Sequence, residues 1–269
     1  MKTGDKTFYD VYWKEQLALT CDERCRLSFI LSQVDNVIRR KAKAAINLGS
    51  RLRTPDPKRR LRIADVGCGR GWLTDALSRF GEVVGFDQST VEAARRYPHL
   101  RLVECDVLDL GRTAEAEAAG EFDVAVCSEV IEHVRREDQH RLVESIAGIL
   151  RDDGTLILTT PNRPVVNRLV EALGLREELQ PIEDWLDARA LAQLLRPQFE
   201  AQELTTVMFF PVWVRKVGPL SRAYRTLYES CGAHRAMDPV LGPTLRGLYL
   251  AVVARKKPAS PSAGISGAV

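Results

Sequence analysis

The chain has 269 residues, of which 45% are hydrophobic, and a formal net charge of +3. This length and apolar content suffice for one substantial core, so we expect one elaborated α/β domain rather than two independent domains. No uninterrupted apolar stretch of about 18 residues occurs, and the first residues lack the apolar core of a secretion signal. We therefore expect a cytoplasmic protein without a transmembrane segment, and the small net charge does not demand a nucleic-acid partner.

The cysteines are scattered, and several fall inside apolar, strand-like runs, where a reduced thiol serves as a small hydrophobic side chain. We therefore expect no disulfides. The six positions are Cys21, Cys25, Cys68, Cys105, Cys127 and Cys231.

Residues 1–60 precede the first predicted strand and are expected to form a helical extension. Between Asp22 and Leu48 apolar residues recur at the spacing of an amphipathic helix, which Gly49 would close. This helix should pack against the domain edge or form part of a lid. An aromatic cluster precedes this helix and consists of Phe8, Tyr9, Tyr12 and Trp13. The cluster would either lie over a bound ligand or anchor the segment to the core.

A basic segment links this helix to the first strand. Its density of positive charge suits contact with phosphates of RNA, an acidic carrier protein or an anionic substrate. We favour the simpler interpretation of a solvated helix face and a charged linker. The segment contains one acidic residue, Asp56, and ten basic residues: Arg39, Arg40, Lys41, Lys43, Arg51, Arg53, Lys58, Arg59, Arg60 and Arg62.

The stretch from Ile63 to Trp72 combines an apolar run with three glycines spaced two apart, and a helix-compatible segment follows. Glycine lets the backbone take positive φ and lets a ligand approach main-chain N–H groups. The next predicted strand ends in Asp87, which lies 20 residues after Gly67. That is the spacing at which an acidic side chain meets the ribose hydroxyls of a nucleotide, so the sequence predicts a nucleotide at this turn.

The details of the turn narrow the kind of nucleotide. Trp72 occupies the place where a dinucleotide fingerprint has its third glycine, and the Gly-Lys-Ser/Thr ending of a phosphate loop is absent. The pattern Asp-Val-Gly-Cys-Gly-Arg-Gly, residues 65–71, instead resembles the first motif of class I S-adenosylmethionine-dependent methyltransferases. In that family the glycine turn holds the amino-acid end of the cofactor, so the resemblance implies S-adenosylmethionine here.

From residue 61 predicted strands and helices alternate, which indicates a parallel sheet with ligands bound at the carboxyl edge of its strands. Asp106 follows the third predicted strand directly. The resemblance implies that Asp106 binds the adenine amino group and that Val107 lies beside the adenine ring. Capping of the next turn is a second use of Asp106 and is compatible with the first.

The fourth predicted strand, Phe122 to Cys127, leads into Ser128, Glu129, Glu132 and His133. If this segment is helical, the spacings of three and four bring the last three side chains towards one face. Neutral His133 could then take the proton of a hydroxyl acceptor, with a glutamate orienting its other ring nitrogen. Alternatively, Glu129, Glu132 and His133 could bind a divalent ion that lowers the pKa of the acceptor oxygen. We favour the base over the metal.

The same segment resembles two branches of the family, the ubiquinone-pathway O-methyltransferases and the small-RNA 3′-terminal 2′-O-methyltransferases, which share a Glu-x-x-Glu-His stretch. The RNA branch also needs a histidine downstream of its Thr-Thr-Pro-Asn. Here Thr159-Thr160-Pro161-Asn162 is present, but the next histidine is His234. This departure counts against the RNA-type metal site.

Together these patterns predict a Rossmann-like α/β fold with a seven-stranded, mostly parallel sheet, helices on both faces and an antiparallel last strand. We expect a helix over 184–195, a sixth strand over 199–207, an insertion with helices over 208–244 and a seventh strand over 246–255. The predicted segments are a helical extension or lid (1–60), a methyltransferase domain (61–257) and a disordered tail (258–269), because the last residues are rich in Ser, Ala, Gly and Pro.

The function predicted from the resemblance is O-methylation of a small-molecule or saccharide-type hydroxyl with S-adenosylmethionine. The alternatives are an RNA 2′-O-methyltransferase that uses the basic segment and a non-catalytic, methyltransferase-like binding scaffold. The acceptor, the methylated atom and the oligomeric state stay open. The predicted catalytic residues are His133 and Glu129, and the predicted cofactor-binding residues are Asp65, Gly67, Cys68, Gly69, Asp87, Gln88, Asp106, Val107 and Ser128.

Overall fold

The structure of the protein is a computed structural model. It describes residues 19–47, 60–112, 122–173, 182–209, 218–230 and 232–258. The aromatic cluster at residues 8–13, most of the basic segment, residues 114–120 and the tail from 259 lie outside the described residues. The proposed division of the chain into three segments therefore stays a prediction.

A seven-stranded sheet organises the described part of the chain, in the order β3-β2-β1-β4-β5-β7-β6. The first five strands pair in parallel, and β7 runs antiparallel to both β5 and β6. The predicted sheet and its antiparallel last strand are therefore confirmed. The strands are β1 (Leu61–Val66), β2 (Gly81–Asp87), β3 (Arg101–Glu104), β4 (Phe122–Ser128), β5 (Leu150–Pro161), β6 (Phe199–Val207) and β7 (Tyr249–Lys256).

Helices connect these strands and form most of the insertion before β7. The α-helices are α1 (Cys21–Asn47), α2 (Trp72–Leu77), α3 (Val91–Arg96), α4 (Gln139–Ile149), α5 (Arg163–Leu173), α6 (Ala188–Leu195), α7 (Gly218–Arg225) and α8 (His234–Leu241). Short helical turns occupy Val107–Arg112, Ile131–His133 and Gly242–Thr244, and a π-helix follows α7 over Thr226–Ser230.

Hydrophobic cores lie on both faces of the sheet because successive strand side chains point to opposite sides. In β1, Ala64 and Val66 join one core, and Leu61 and Ile63 join the other. The first core is covered by α4 and α6, whereas α1 and α2 cover the second. The predicted placement of helices on both faces is confirmed.

Helix α1 is fixed near both of its ends. Its start is a capping box, in which Thr20 N donates to Glu23 Oε2 over 2.8 Å and Glu23 N donates to Thr20 Oγ1 over 3.4 Å. Towards its other end, Lys41 Nζ contacts the carboxylate of Asp123 on β4. Asp123 is buried and also accepts the backbone N–H of Arg62 over 2.9 Å. These contacts hold the helix along the sheet.

The helix predicted from residue 184 begins only at Ala188. Residues 182–187, which we call the strap, are not helical. Asp184 N donates to Glu132 O over 2.8 Å, a tertiary bond that draws the backbone away from a helical path. Asp187 then caps α6 by accepting Ala190 N over 2.8 Å.

Strand β5 begins at Leu150. Its pairing with β4 shifts register between Phe122 and Val124, and Asp153 adopts a φ of 65°. The Asp-Asp-Gly segment, residues 152–154, therefore forms a bulge within the strand. No helix in the described part of the chain is long and apolar enough to cross a membrane, and the cytoplasmic location stays a prediction.

The thiols of Cys25, Cys68, Cys105 and Cys127 are free. The other two cysteine side chains lie outside what the structure describes. The expectation that the chain forms no disulfides stays a prediction.

Candidate functional site

The glycine turn between β1 and α2 is pinned to the neighbouring strand. Gly67 N and Cys68 N both donate to Phe86 O, over 2.7 and 3.0 Å. The φ angles of Gly67, Gly69 and Gly71 are 75°, 51° and 84°, a region that side chains with a Cβ rarely adopt. A Cβ on Gly67 would lie 2.3 Å from Val130 Cγ2, so glycine also allows the turn to approach the segment after β4.

Asp87 ends β2 beside this turn. Its Oδ2 accepts Gly69 N over 2.9 Å, and its Oδ1 accepts Ser89 N over 3.0 Å. A carboxylate oxygen has two lone-pair sites, so each oxygen retains acceptor capacity for a hydroxyl group. Burial raises the pKa of Asp87 to about 6. The remaining acceptor sites of the Asp87 carboxylate fit the vicinal hydroxyls of a ribose. Gln88 follows Asp87 in the chain.

Two predicted cofactor residues direct their side chains into the protein. Asp65 is buried, and its Oδ2 accepts Thr74 Oγ1 over 2.6 Å. Burial raises the pKa of Asp65 to about 7. The buried Cys68 thiol lies beside Gly85, and burial raises the pKa of that thiol well above its usual range. Asp65 and Cys68 would therefore contact a cofactor only through their backbone atoms.

Asp106 lies at the same sheet edge. Cys105 N donates to Asp87 O over 2.8 Å, which sets the end of β3 beside the end of β2. Asp106 Oδ1 accepts Leu108 N over 2.9 Å, so its predicted capping role is confirmed. The side chain of Val107 is buried in the core. The predicted adenine contacts of Asp106 and Val107 stay predictions.

The segment after β4 is helical only over Ile131–His133. Glu129 lies outside that turn, with a φ of 58°, and its N–H donates to Thr159 O over 3.0 Å. Ser128 Oγ lies 2.9 Å from Thr159 Oγ1, a second link to β5. Glu129, Glu132 and His133 therefore do not lie in one helix, so the predicted arrangement of the three side chains on a single helix face does not occur.

Glu129 instead points towards α1, where it meets residues that the sequence analysis did not identify. Arg26 Nη1 lies 3.6 Å from Glu129 Oε2 and 3.0 Å from Asp22 Oδ2. The Arg26 guanidinium also lies 4.6 Å from the centroid of the Tyr249 ring, and Tyr249 Oη donates to Asp22 Oδ2 over 3.1 Å. The sequence predicted helix α1 but did not indicate that Arg26 contacts Glu129, because no local pattern predicts a partner about a hundred residues away.

Two polar atoms of this cluster are buried without a hydrogen-bond partner within the described part of the chain, Arg26 Nε and Glu129 Oε1. Burial raises the pKa of Glu129 to about 8 even though Arg26 opposes the shift. Leaving a buried polar atom unpaired is costly, so both atoms would gain from a polar partner.

His133 and Glu132 lie on the other side of the same turn. His133 Nδ1 is 3.0 Å from Ile182 O. Because a carbonyl only accepts, Nδ1 carries the proton and Nε2 is the basic nitrogen of the neutral ring. The predicted glutamate on the second ring nitrogen is therefore wrong, since a backbone carbonyl occupies that place.

Glu132 is buried, and its Oε2 accepts Thr160 Oγ1 over 2.9 Å. Its Oε1 lies 4.0 Å from His133 Nε2, and burial raises the pKa of Glu132 to about 8. Among the described residues, no group of three or more His, Cys, Asp or Glu side chains is arranged to hold a metal ion. Glu129, Glu132 and His133 do not form such a group.

A family model described as a methyltransferase domain matches residues 37–204. A ubiquinone biosynthesis O-methyltransferase of Ruegeria sp. (strain TM1040) is 34% identical over 142 residues, which cover 52% of this chain and 53% of that protein. The protein of the same name from Xanthomonas campestris pv. campestris (strain B100) is 30% identical over 186 residues, covering 63% and 74%. The chain thus matches about half of the first relative's length.

Solved structures share the fold at low sequence identity. A methyltransferase solved in complex with the Haloferax volcanii Trm112 methyltransferase activator has a TM-score of 0.55 and 17% identity, covering 96% of this chain and 99% of that one. A SAM-dependent methyltransferase from Archaeoglobus fulgidus has a TM-score of 0.51 and 14% identity, with coverages of 83% and 94%. At these identities the likeness shows the fold alone.

Proposed function

This chain belongs to the S-adenosylmethionine-dependent methyltransferases, and we propose that it methylates a hydroxyl group of a small molecule. The observation that carries this proposal is His133, whose Nδ1 donates to Ile182 O and whose Nε2 is thereby the basic atom. When bound, S-adenosylmethionine supplies an electrophilic methyl group on a sulfonium. A hydroxyl acceptor then needs a group that takes its proton as the oxygen is methylated.

The carboxyl edge of β1 and β2 is proposed to hold the cofactor. Asp87 would bind the ribose hydroxyls, and the glycine turn would border the amino-acid end, where the absence of side chains at Gly67 and Gly69 lets a ligand approach the backbone. Asp106 with Val107 would meet the adenine, while Gln88 and Ser128 would border the site. Support comes from the Asp87 carboxylate, which Gly69 N orients from within the turn itself.

The amino-acid end of the cofactor carries a carboxylate and an ammonium group. Arg26 and Glu129 present a guanidinium and a carboxyl group close to the glycine turn, because Val130 contacts Gly67 and Glu129 precedes Val130. Arg26 Nε and Glu129 Oε1, which have no hydrogen-bond partner among the described residues, support a polar partner here. We propose that this pair contributes to cofactor binding, with Glu129 also facing the reacting centre.

His133 is proposed as the general base. Its Nε2 takes the proton that the acceptor hydroxyl loses, while Ile182 O holds the proton on Nδ1. A positioned base of this kind contributes about 10²–10⁴-fold to the rate. The acceptor is proposed to be a phenolic or saccharide-type hydroxyl, and the O-methyltransferase names of the relatives support oxygen as the methylated atom.

An RNA acceptor is not proposed. Two residues of the basic segment are already paired within the protein: Arg39 Nε lies 2.6 Å from Asp35 Oδ2, and Lys41 contacts Asp123. These pairs reduce the positive charge that the described part of this segment offers to phosphates.

The test is methyl transfer from S-adenosylmethionine to two probe classes, 3,4-dihydroxybenzoate as a catechol and methyl glucoside as a saccharide, with the product identified by mass spectrometry. We expect O-methylation of one class. His133→Ala should lower kcat by about 10²-fold or more, with the affinity for S-adenosylhomocysteine unchanged in calorimetry.

The matched control is His140→Ala, which removes an exposed histidine of α4 and should leave kcat as in the parent protein. Equal turnover of His133→Ala and the parent protein would remove His133 from the mechanism. Cofactor binding without transfer to any hydroxyl would favour the scaffold alternative.

A further inference from the structure

The strap crosses the turn that carries His133 and supplies the partner of its ring. Ile182 O faces His133 Nδ1 at 3.0 Å, and Asp184 N donates to Glu132 O over 2.8 Å. At the far end of the strap, Arg163 N donates to Leu186 O over 3.0 Å. The position of the Ile182 carbonyl therefore depends on how the strap is fastened to the turn.

A buried amide, that of Gln139 at the start of α4, fastens the two together. The residue is 1% exposed, and its Nε2 donates to Ile131 O over 3.1 Å and to Asp184 O over 3.0 Å. Val134 O lies slightly farther away, at 3.4 Å. All three partners are carbonyls, which only accept, so the atom that faces them must be the NH₂ group. One side chain thus connects the turn and the strap.

A second link joins the strap to the same loop. Arg136 N donates to Asp184 Oδ2 over 3.1 Å. Asp184 therefore has its N–H, its carbonyl and its carboxylate all bonded to residues between Glu132 and Gln139. This concentration of bonds on one strap residue fixes the strap beside His133.

We propose that Gln139 is a positioning residue for His133. The Gln139 amide holds the Ile182 carbonyl against Nδ1 of His133 and thereby selects the ring tautomer in which Nε2 is basic. A neutral imidazole can carry its proton on either nitrogen, and the hydrogen bond to one nitrogen decides which. The inference rests on the proposed function only for the use of Nε2 as the base. The tautomer is a property of the protein without substrate.

The test is nuclear magnetic resonance of the full chain labelled with ¹⁵N-histidine. The chain has four histidines, and the His133 signals are assigned from their loss in His133→Asn. At a pH where the ring is neutral, long-range ¹H–¹⁵N spectra distinguish the two tautomers. We expect the Nδ1–H form in the parent protein and a shift towards the Nε2–H form in Gln139→Met, which keeps the side-chain length but lacks the NH₂ group.

The matched control is Val143→Ala, a buried position of the same helix in the core cluster. It loosens α4 without removing a bond to the strap, so the His133 tautomer should stay as in the parent protein. If Gln139→Met and Val143→Ala give the same His133 spectrum as the parent protein, the proposal is overturned. An Nε2–H form in the parent protein would overturn it as well.

Asp184 offers a second pair of variants in case Gln139→Met fails to fold. Asp184→Ala removes the acceptor of Arg136 N, whereas Asp184→Asn retains a side-chain oxygen in that place. We expect a change in the His133 tautomer for Asp184→Ala and its restoration in Asp184→Asn. Equal spectra for the two variants would count against the strap as the positioning element.

Turnover provides an independent readout. With the hydroxyl probe that the protein methylates, Gln139→Met should lower kcat by about tenfold, a part of the contribution of a positioned base, and leave the affinity for S-adenosylhomocysteine unchanged. If no hydroxyl is methylated although the tautomers respond as expected, the proposed function fails and the positioning role of Gln139 stands.

Discussion

Arg70 Nη2 donates to Glu23 Oε2 over 2.7 Å, and both side chains are buried. Arg70 lies inside the glycine turn, and Glu23 belongs to the first turn of α1. The same Glu23 oxygen accepts Thr20 N, so one carboxylate closes the helix cap and holds the turn. The ion pair therefore couples the proposed cofactor loop to the helix that covers it.

Breaking this pair should be costly. Removing one partner of a buried ion pair leaves an uncompensated charge, which costs about 3–5 kcal/mol. We expect Arg70→Met to lower the free energy of unfolding by about that amount, measured by urea denaturation. The double variant Arg70→Met with Glu23→Gln should lose less than the sum of the single changes. Additive losses would show that the two side chains do not interact.

Gly67 should tolerate no side chain unless Val130 is shortened. Gly67→Ala introduces a Cβ 2.3 Å from Val130 Cγ2 and places alanine at a φ of 75°. Strain and overpacking together should cost about 3 kcal/mol. Adding Val130→Ala removes the two Cγ contacts and should recover part of that loss in thermal denaturation, while the backbone strain and a 3.3 Å contact with the Cβ of residue 130 remain. A double variant that is less stable than Gly67→Ala would contradict this account.

Asp87→Asn tests the ribose contact. An asparagine has one acceptor oxygen, so its NH₂ group would face the N–H of either Gly69 or Ser89, and the negative charge is lost. Charged hydrogen bonds contribute about 1.5–3 kcal/mol, so the Kd for S-adenosylhomocysteine should rise about 10- to 100-fold by calorimetry. Unchanged affinity would place the ribose elsewhere.

Asp87 should also make cofactor affinity depend on pH. Because burial raises its pKa to about 6, the carboxyl is protonated at pH 5 and ionised at pH 8. We expect tighter binding at pH 8 in the parent protein, since the ionised form accepts more hydrogen bonds. Titrations of Asp87→Asn at the same two pH values should show a smaller difference, and an equal difference would assign the pH dependence to another group.

Stability should fall as the pH rises because of Glu132. Burial raises its pKa to about 8, from an ordinary value of 4.5, so the folded protein keeps a proton that the unfolded chain releases. This contribution is complete below the unfolded pKa and is lost as the pH rises through the folded pKa. Glu132→Gln, which carries no ionisable group at this position, should therefore gain about 3 kcal/mol relative to the parent protein between pH 5.5 and pH 8.5.

The measurement is urea denaturation of both proteins at the two pH values. The pKa values of Asp65 and Glu129 are raised, as is that of Glu132, so the parent protein should be less stable at pH 8.5 than at pH 5.5. Equal pH dependence in the parent protein and in Glu132→Gln would mean that Glu132 is ionised in the folded state across this range.

Local patterns in the sequence predicted most of the sheet. β1 and β6 occur at their predicted residues, and the antiparallel last strand is present. The glycine turn and Asp87 could be identified because positive φ and the spacing of strand ends are properties of short segments. The helix predicted from residue 184 was wrong in its first turn because Asp184 makes tertiary bonds that outweigh local helical preference.

The sequence by itself determined the order of strands and helices, the glycine turn and the identity of the acidic and basic residues at the sheet edge. Only the tertiary structure decided which of them meet: Arg26 with Glu129, Arg70 with Glu23, and His133 with Ile182. These partners are separated by 47 residues or more in the chain. Periodicity and turn chemistry act over a few residues, whereas such contacts arise only when the packed core brings distant segments together.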